Sequence, residues 1–151
     1  MVIRAMVPGD ESALIDMGHR MWEESDRFNR HPLNIDKLKQ LANWVHTVPM
    51  VECFVAEKDG TIIAIWVGAI NPLWYSDDTT VTDIVFYVDK QHRGGSSAWR
   101  LMIAAGTWAK AMGATEISIG LSSGIDTEKV TCFFEKMGYS HGASVMTKEM
   151  G

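Results

Sequence analysis

The sequence predicts one α/β (α+β) domain over residues 1–151, with a mixed central sheet of about six to seven strands flanked by about four helices. Three observations predict it. Runs rich in β-branched and aromatic residues recur between turn signals, and amphipathic runs at helical spacing separate them. The resulting order, β-α-α-β-β-β-α-β-α-β, routes the chain through helices between strands, which makes those strands parallel and covers both sheet faces. A chain of 151 residues that is 46% hydrophobic can bury such a core without disulfides or metal.

The opening "MVIRAM" alternates apolar and polar residues as a short strand does, and Pro8 to Asp10 turns it into a helix whose buried stripe is Ala13, Leu14, Met17 and Met21. A polar connector, "SDRFNRHPLN", precedes a second helix near Ile35, with Leu38, Leu41, Ala42 and Val45 on one face. "VECFVAEKDGTIIAIWVGAINPLWY" reads as a hairpin about Asp59-Gly60, since that dipeptide supplies the positive φ angles of a tight turn. "TVTDIVFYVD" is the next strand, and "QHRGGSSAWRL" carries the chain into a helix marked by Ala98, Leu101, Met102, Ala105, Trp108 and Met112 and stopped at Gly113. "TEISIGL" is a further strand, "SSGIDTEKVTCFFEKMGY" a loop and helix, and "HGASVMTKEM" the expected closing strand.

Charge and composition exclude several classes. A net charge of −5 and no clustered Lys/Arg tract argue against nucleic acid as a partner. Cys53 and Cys132 share no metal-ligand or CxxC spacing, so both are expected in the core of a protein from a reducing, cytoplasmic compartment, and no metal site is expected. The longest apolar run, "TIIAIWVGAINPLWY", is too short to span a bilayer.

The chemistry concentrates in "QHRGGSSAWRL". A glycine-rich turn that opens a helix aims unpaired N–H groups and the positive end of the helix dipole at one spot, which suits a phosphate. Gly94 and Gly95 let backbone approach an anion, Arg93 adds a charged donor, and Ser96 or Ser97 can cap or donate; a plain capping turn has the same composition.

Read as Arg93-Gly94-Gly95-Ser96-Ser97-Ala98, this segment resembles the Q/R-x-x-G-x-G/A signature of the GNAT superfamily of acetyl-CoA-dependent N-acyltransferases. "IVFYV" upstream is similar to the strand that holds pantetheine there, and "FFEKMGY" downstream to that family's F-Y-E-K-x-G-F. Within the superfamily the sequence looks closest to a phage and proteobacterial type with "HRGG" and a following "WA". The likeness covers most of the chain and is specific from residue 83 onward. It departs from the pattern at three positions: Ser96 replaces the central glycine, Thr127 a frequent asparagine, and Phe134 the tyrosine often proposed as general acid.

The resemblance implies an N-acetyltransferase that uses acetyl-CoA as co-substrate and transfers its acetyl group to a primary amine by direct attack in a ternary complex. Arg93 to Ala98 would then cradle the pyrophosphate, with Phe86, Tyr87, Val88, Thr127 and Phe134 completing the cofactor slot and the Val88 N–H polarising the thioester. Strand alternation puts Asp83 and Tyr87 on one face, where Asp83 is the expected base and Tyr87 the expected acid. Asp83 can instead close a strand end or bind an acceptor cation, and Tyr87 can simply pack. Ser122, Ser123 and Gly124 would shape the pantetheine slot, and one or two of Trp22, Phe28, Trp44, Trp74 and Tyr75 would line the acceptor side. His92 and His141 are left out of the catalytic set.

The acceptor is expected to be a small-molecule amine, such as a polyamine or aminoglycoside, or a lysine-bearing protein. A homodimer is compatible with the family. Two rival readings are a non-catalytic acyl-CoA-binding or regulatory module, favoured by Phe134 and opposed by Asp83, and an interaction protein that keeps only the fold.

Overall fold

The computed structural model describes every residue from Met1 to Gly151. Five strands form one sheet in chain order: β1 (Val2–Ala5), β2 (Val51–Lys58), β3 (Thr61–Pro72), β4 (Thr79–Val88) and β5 (Glu116–Ser118). The first four are antiparallel neighbours, and β5 lies parallel to β4. The sheet is mixed, as expected, but smaller than the expected six to seven strands. Residues 139–151 adopt no strand, and Val145, Met146 and Met150 in the predicted closing strand are 82%, 96% and 87% exposed. A partner strand would gain few ladder bonds against a three-residue β5, too little to offset the entropy of ordering a small-residue, polar segment.

Four helices cover the sheet: α1 (Glu11–Glu24), α2 (Ile35–Thr47), α3 (Ser97–Ala111) and α4 (Thr127–Lys136). Leu14 and Met17 of α1 and Leu41 and Ala42 of α2 pack against Val55, Ile65, Val67, Val85 and Tyr87 on one sheet face. Leu101, Met102, Ala105 and Ala109 of α3 and Phe134 of α4 pack against Ala64, Trp66 and Val81 on the other. The β2–β3 turn is the predicted one, with Asp59 at φ 51 and Gly60 at φ 78. Asn34 caps α2, its side chain accepting from the Asp36 N–H at 3.0 Å. Of the two cysteines expected in the core, Cys53 is buried, whereas Cys132 is exposed because it falls on the outer face of α4.

The alternation of β4 breaks once. Val67 pairs with Val85 but its neighbour Gly68 pairs with Asp83, so Ile84 is an unpaired bulge residue. Directly opposed residues share a sheet face, and Gly68 faces the same side as Trp66, whose ring lies across it. Asp83 therefore faces α3 and α4, while Val85 and Tyr87 face α1 and α2. The strict alternation that put Asp83 and Tyr87 on one face is corrected by this one inserted residue.

A methyl group on Gly68 would sit 2.3 Å and 2.4 Å from ring carbons of the fully buried Trp66 and 3.0 Å from the Thr82 carbonyl. Gly68→Ala is therefore expected to destabilise the fold by about 1–3 kcal/mol in urea unfolding. An unchanged midpoint would show that Trp66 moves freely there.

Candidate active site

Pairing between β4 and β5 runs only from Thr80–Glu116 to Thr82–Ser118. Beyond it the strands part, and a cleft of about 470 Å³ opens between Asp83–Val88 on one lip and Ile119–Ser123 on the other. The bulge at Ile84 lies where the separation starts, and a bulge bends its strand and increases local twist. At the far end Gly94, Gly95, Ser97 and Ala98 line the cleft at the start of α3, and Thr127, Lys129, Val130, Phe133 and Phe134 line it from α4.

The α3 end is chemically open. Gly94 holds φ 88 with nothing within 4 Å of a notional Cβ, a conformation that favours glycine. Ser96 makes no side-chain cap, no acidic residue occupies the first turn, and the amides from Gly94 to Trp99 donate to no group of the chain. Several N–H groups and the positive helix end thus converge on one spot of the cleft.

On β4, Asp89 N–H bonds to the Ile63 carbonyl of β3 at 2.8 Å. One residue earlier the backbone points the opposite way, so the Val88 N–H and C=O face the cleft. The Val88 carbonyl accepts from Arg93 Nε at 3.0 Å, consistent with that direction.

A family model described as "Acetyltransferase (GNAT) family" matches residues 18–139. The chain belongs to that family. It is an N-acetyltransferase, and acetyl-CoA is the acetyl donor of this family. No curated protein matches the sequence. Among solved structures, AAC(6')-Iy in complex with the bisubstrate analogue CoA-S-monomethyl-acetylneamine is 17% identical, with a TM-score of 0.79 over 99% of this chain and 97% of that one. The aminoglycoside 6'-N-acetyltransferase AAC(6')-IG from Acinetobacter haemolyticus is 16% identical, with a TM-score of 0.78 over 100% and 99%. A transcriptional regulator from Bacillus halodurans C-125 is 16% identical, with a TM-score of 0.79 over 99% of each chain. At such identities the likeness is one of fold.

In this acetyltransferase most of the predicted site residues converge. Asp83, Phe86, Tyr87, Val88, Arg93, Gly94, Gly95, Ser97, Ala98, Thr127 and Phe134 all line the one cleft, and Ser96 lies just outside it at the N-cap of α3. Asp83 is half-buried, and this desolvation raises its carboxyl above the usual range, while the Gly120 N–H at 2.8 Å on Oδ1 opposes that rise. Its other oxygen makes no hydrogen bond.

Two predicted site residues have a partner on α1. The Arg93 guanidinium is occupied: both terminal nitrogens donate to Glu24, at 2.5 Å and 2.7 Å, so it stitches the loop to α1 rather than standing free for phosphate. The Tyr87 hydroxyl donates to Glu24 Oε2 at 3.0 Å on the α1 face, away from Asp83. Of the aromatics considered for the acceptor side, Phe28 alone lines the cleft; Trp74 at the β3–β4 turn is 93% exposed.

Sequence reasoning missed Glu24, Lys129 and Tyr139. Glu24 meets Arg93 from 69 positions away, and no local pattern signals such a pair. Lys129 lines the cleft and makes no ion pair, and its signal was available as a cation in the first turn of the last helix. Tyr139 packs 5.1 Å from the Phe134 ring, and burial together with the Asp83 charge raises its phenol.

The Arg93 hydrogen bond is the main cause holding Glu24 below its usual 4.5. A carboxylate depressed by folding contributes stability above that pH and loses it as acid protonates the folded form. Glu24→Gln should accordingly lower the unfolding free energy more at about pH 7 than at about pH 3, read from urea unfolding across the series. An equal loss at both would show that the ion pair contributes nothing.

Proposed function

We propose that this acetyltransferase moves the acetyl group of acetyl-CoA to a primary amine by direct attack within a ternary complex. The observation that carries this reading is one cleft with uncapped amides at one end, the Val88 peptide in the middle and a half-buried carboxylate at the apex. The residues fit the co-substrate by their donor chemistry. The Gly94–Ala98 amides suit the pyrophosphate, and the Lys129 ammonium, which makes no ion pair, adds a positive charge while Arg93 is engaged by Glu24. Phe86, Val88, Thr127 and Phe134 offer the narrow, largely apolar walls that suit pantetheine.

Acetyl-CoA supplies an activated thioester, and the protein supplies position and field. The Val88 N–H meets the carbonyl oxygen as negative charge develops on it. Asp83, through its unbonded oxygen, accepts the proton released as the amine nitrogen forms its bond to the acetyl carbon. The carbon–sulfur bond breaks and sulfur leaves as thiolate. With a thiol pKa of about 8.5 this group departs without a dedicated acid, which suits a site where position 134 is Phe and the Tyr87 proton is engaged by Glu24. Asp83 at the apex favours an amine that arrives as a cation and loses its extra proton to solvent before attack, either a polyamine or aminoglycoside or a lysine side chain. The similar folds of AAC(6')-Iy and AAC(6')-IG belong to aminoglycoside acetyltransferases, which supports the first class.

Calorimetry with acetyl-CoA followed by thiol release across a panel of amines tests the reaction. Asp83→Asn should cut turnover by about 10²–10⁴-fold and leave acetyl-CoA affinity near wild type. In wild type the rate should fall as pH drops through the raised Asp83 value, and the variant should lose that acid limb. Unchanged turnover in Asp83→Asn removes Asp83 from the mechanism.

A further inference from the structure

Glu24 and Ser25, at the C-terminal end of α1, reach opposite lips of the cleft. Glu24 accepts from Arg93 Nη1 at 2.5 Å, Arg93 Nη2 at 2.7 Å and the Tyr87 hydroxyl at 3.0 Å. Arg93 in turn holds the Val88 carbonyl at 3.0 Å and lies 5.3 Å from the Tyr87 ring centroid, so this end of the brace grips the β4 lip and the start of the glycine loop. Ser25 is 1% exposed, and its hydroxyl donates to the Ser123 carbonyl on the other lip at 2.5 Å while accepting from the Phe28 N–H at 3.1 Å. A buried hydroxyl costs stability unless it is satisfied, and the proton of this one goes to a carbonyl 98 positions away.

Ladder bonds between the lips end at Thr82 and Ser118. Past that point the direct links are the Asp83–Gly120 bond at the apex and a long Arg93–Asp126 contact of 3.9 Å. We propose that Glu24 and Ser25 form a two-residue brace that sets the separation of the β4 and β5 lips, and are positioning residues for acetyl-CoA. The brace rests on the cofactor placement proposed above. Its consequence is that the end of α1 and the Phe28 turn, which forms part of the opposite wall, respond to whatever occupies the cleft.

Coenzyme A titrated calorimetrically into the wild type and variants tests this. Glu24→Gln and Ser25→Ala should each weaken coenzyme A by about tenfold, with Ser25→Thr, which keeps the hydroxyl, close to wild type. The double variant should fall well short of the product of the singles, because either change releases the same span. Singles that bind like wild type while only their Tm falls, or strictly additive losses, overturn the brace. A measurement free of folding effects uses the wild type alone: coenzyme A should slow hydrogen exchange at the Phe28 and Asn29 amides, which bond to Ser25. No change there overturns the brace even if the glycine loop is protected. A wild type that does not bind coenzyme A overturns the function proposed above and the brace with it.

Discussion

The unpaired residue in β4 decides where this protein can do chemistry. A strand in regular register with both neighbours would have satisfied its backbone on each side and closed the sheet. The extra residue at Ile84 turns the strand instead, and its pairing with β5 has already ended at Thr82. Two consequences follow together. Asp83 swings to the α3/α4 face, and the next strand residues present backbone donors to a gap rather than to a neighbouring strand. The glycine opposite, Gly68, has the large buried ring of Trp66 where a side chain would be.

Stability and function use the same residues differently on the two faces. Tyr87 and Val85 are packed beneath α1 and α2, and the Tyr87 hydroxyl is also tied to Glu24. Phe86, Val88 and Asp83 belong to the open side, where packing is interrupted by the cleft. A rigid layer behind a gap is what preorganised donors need, since an amide that must reorient during the reaction loses most of its advantage.

Much of the architecture was legible in the chain. Asp59-Gly60 specified a hairpin by its positive φ requirement, the apolar spacing of α1 to α3 specified their buried faces, and the turn before α3 displayed its bare backbone openly. The closing strand was not legible, because alternation in "HGASVMTKEM" says nothing about whether a neighbour is long enough to reward pairing. Nor was the bulge, since Ile84 is an ordinary strand residue and only the register reveals it as extra. The glycine-rich end of the cleft was therefore readable as a local motif, whereas the Asp83 orientation and the occupation of Arg93 by Glu24 depended on partners far away in sequence.

In the proposed reaction the Val88 peptide and the amides at the start of α3 receive the thioester and pyrophosphate of one bound molecule. Backbone NMR during addition of acetyl-CoA tests it most directly. The largest amide shifts should fall on Val88 and on Gly94 to Trp99, with the β1–β2 edge unmoved. Saturable binding that leaves those amides unshifted, or shifts clustered on another surface, would contradict it.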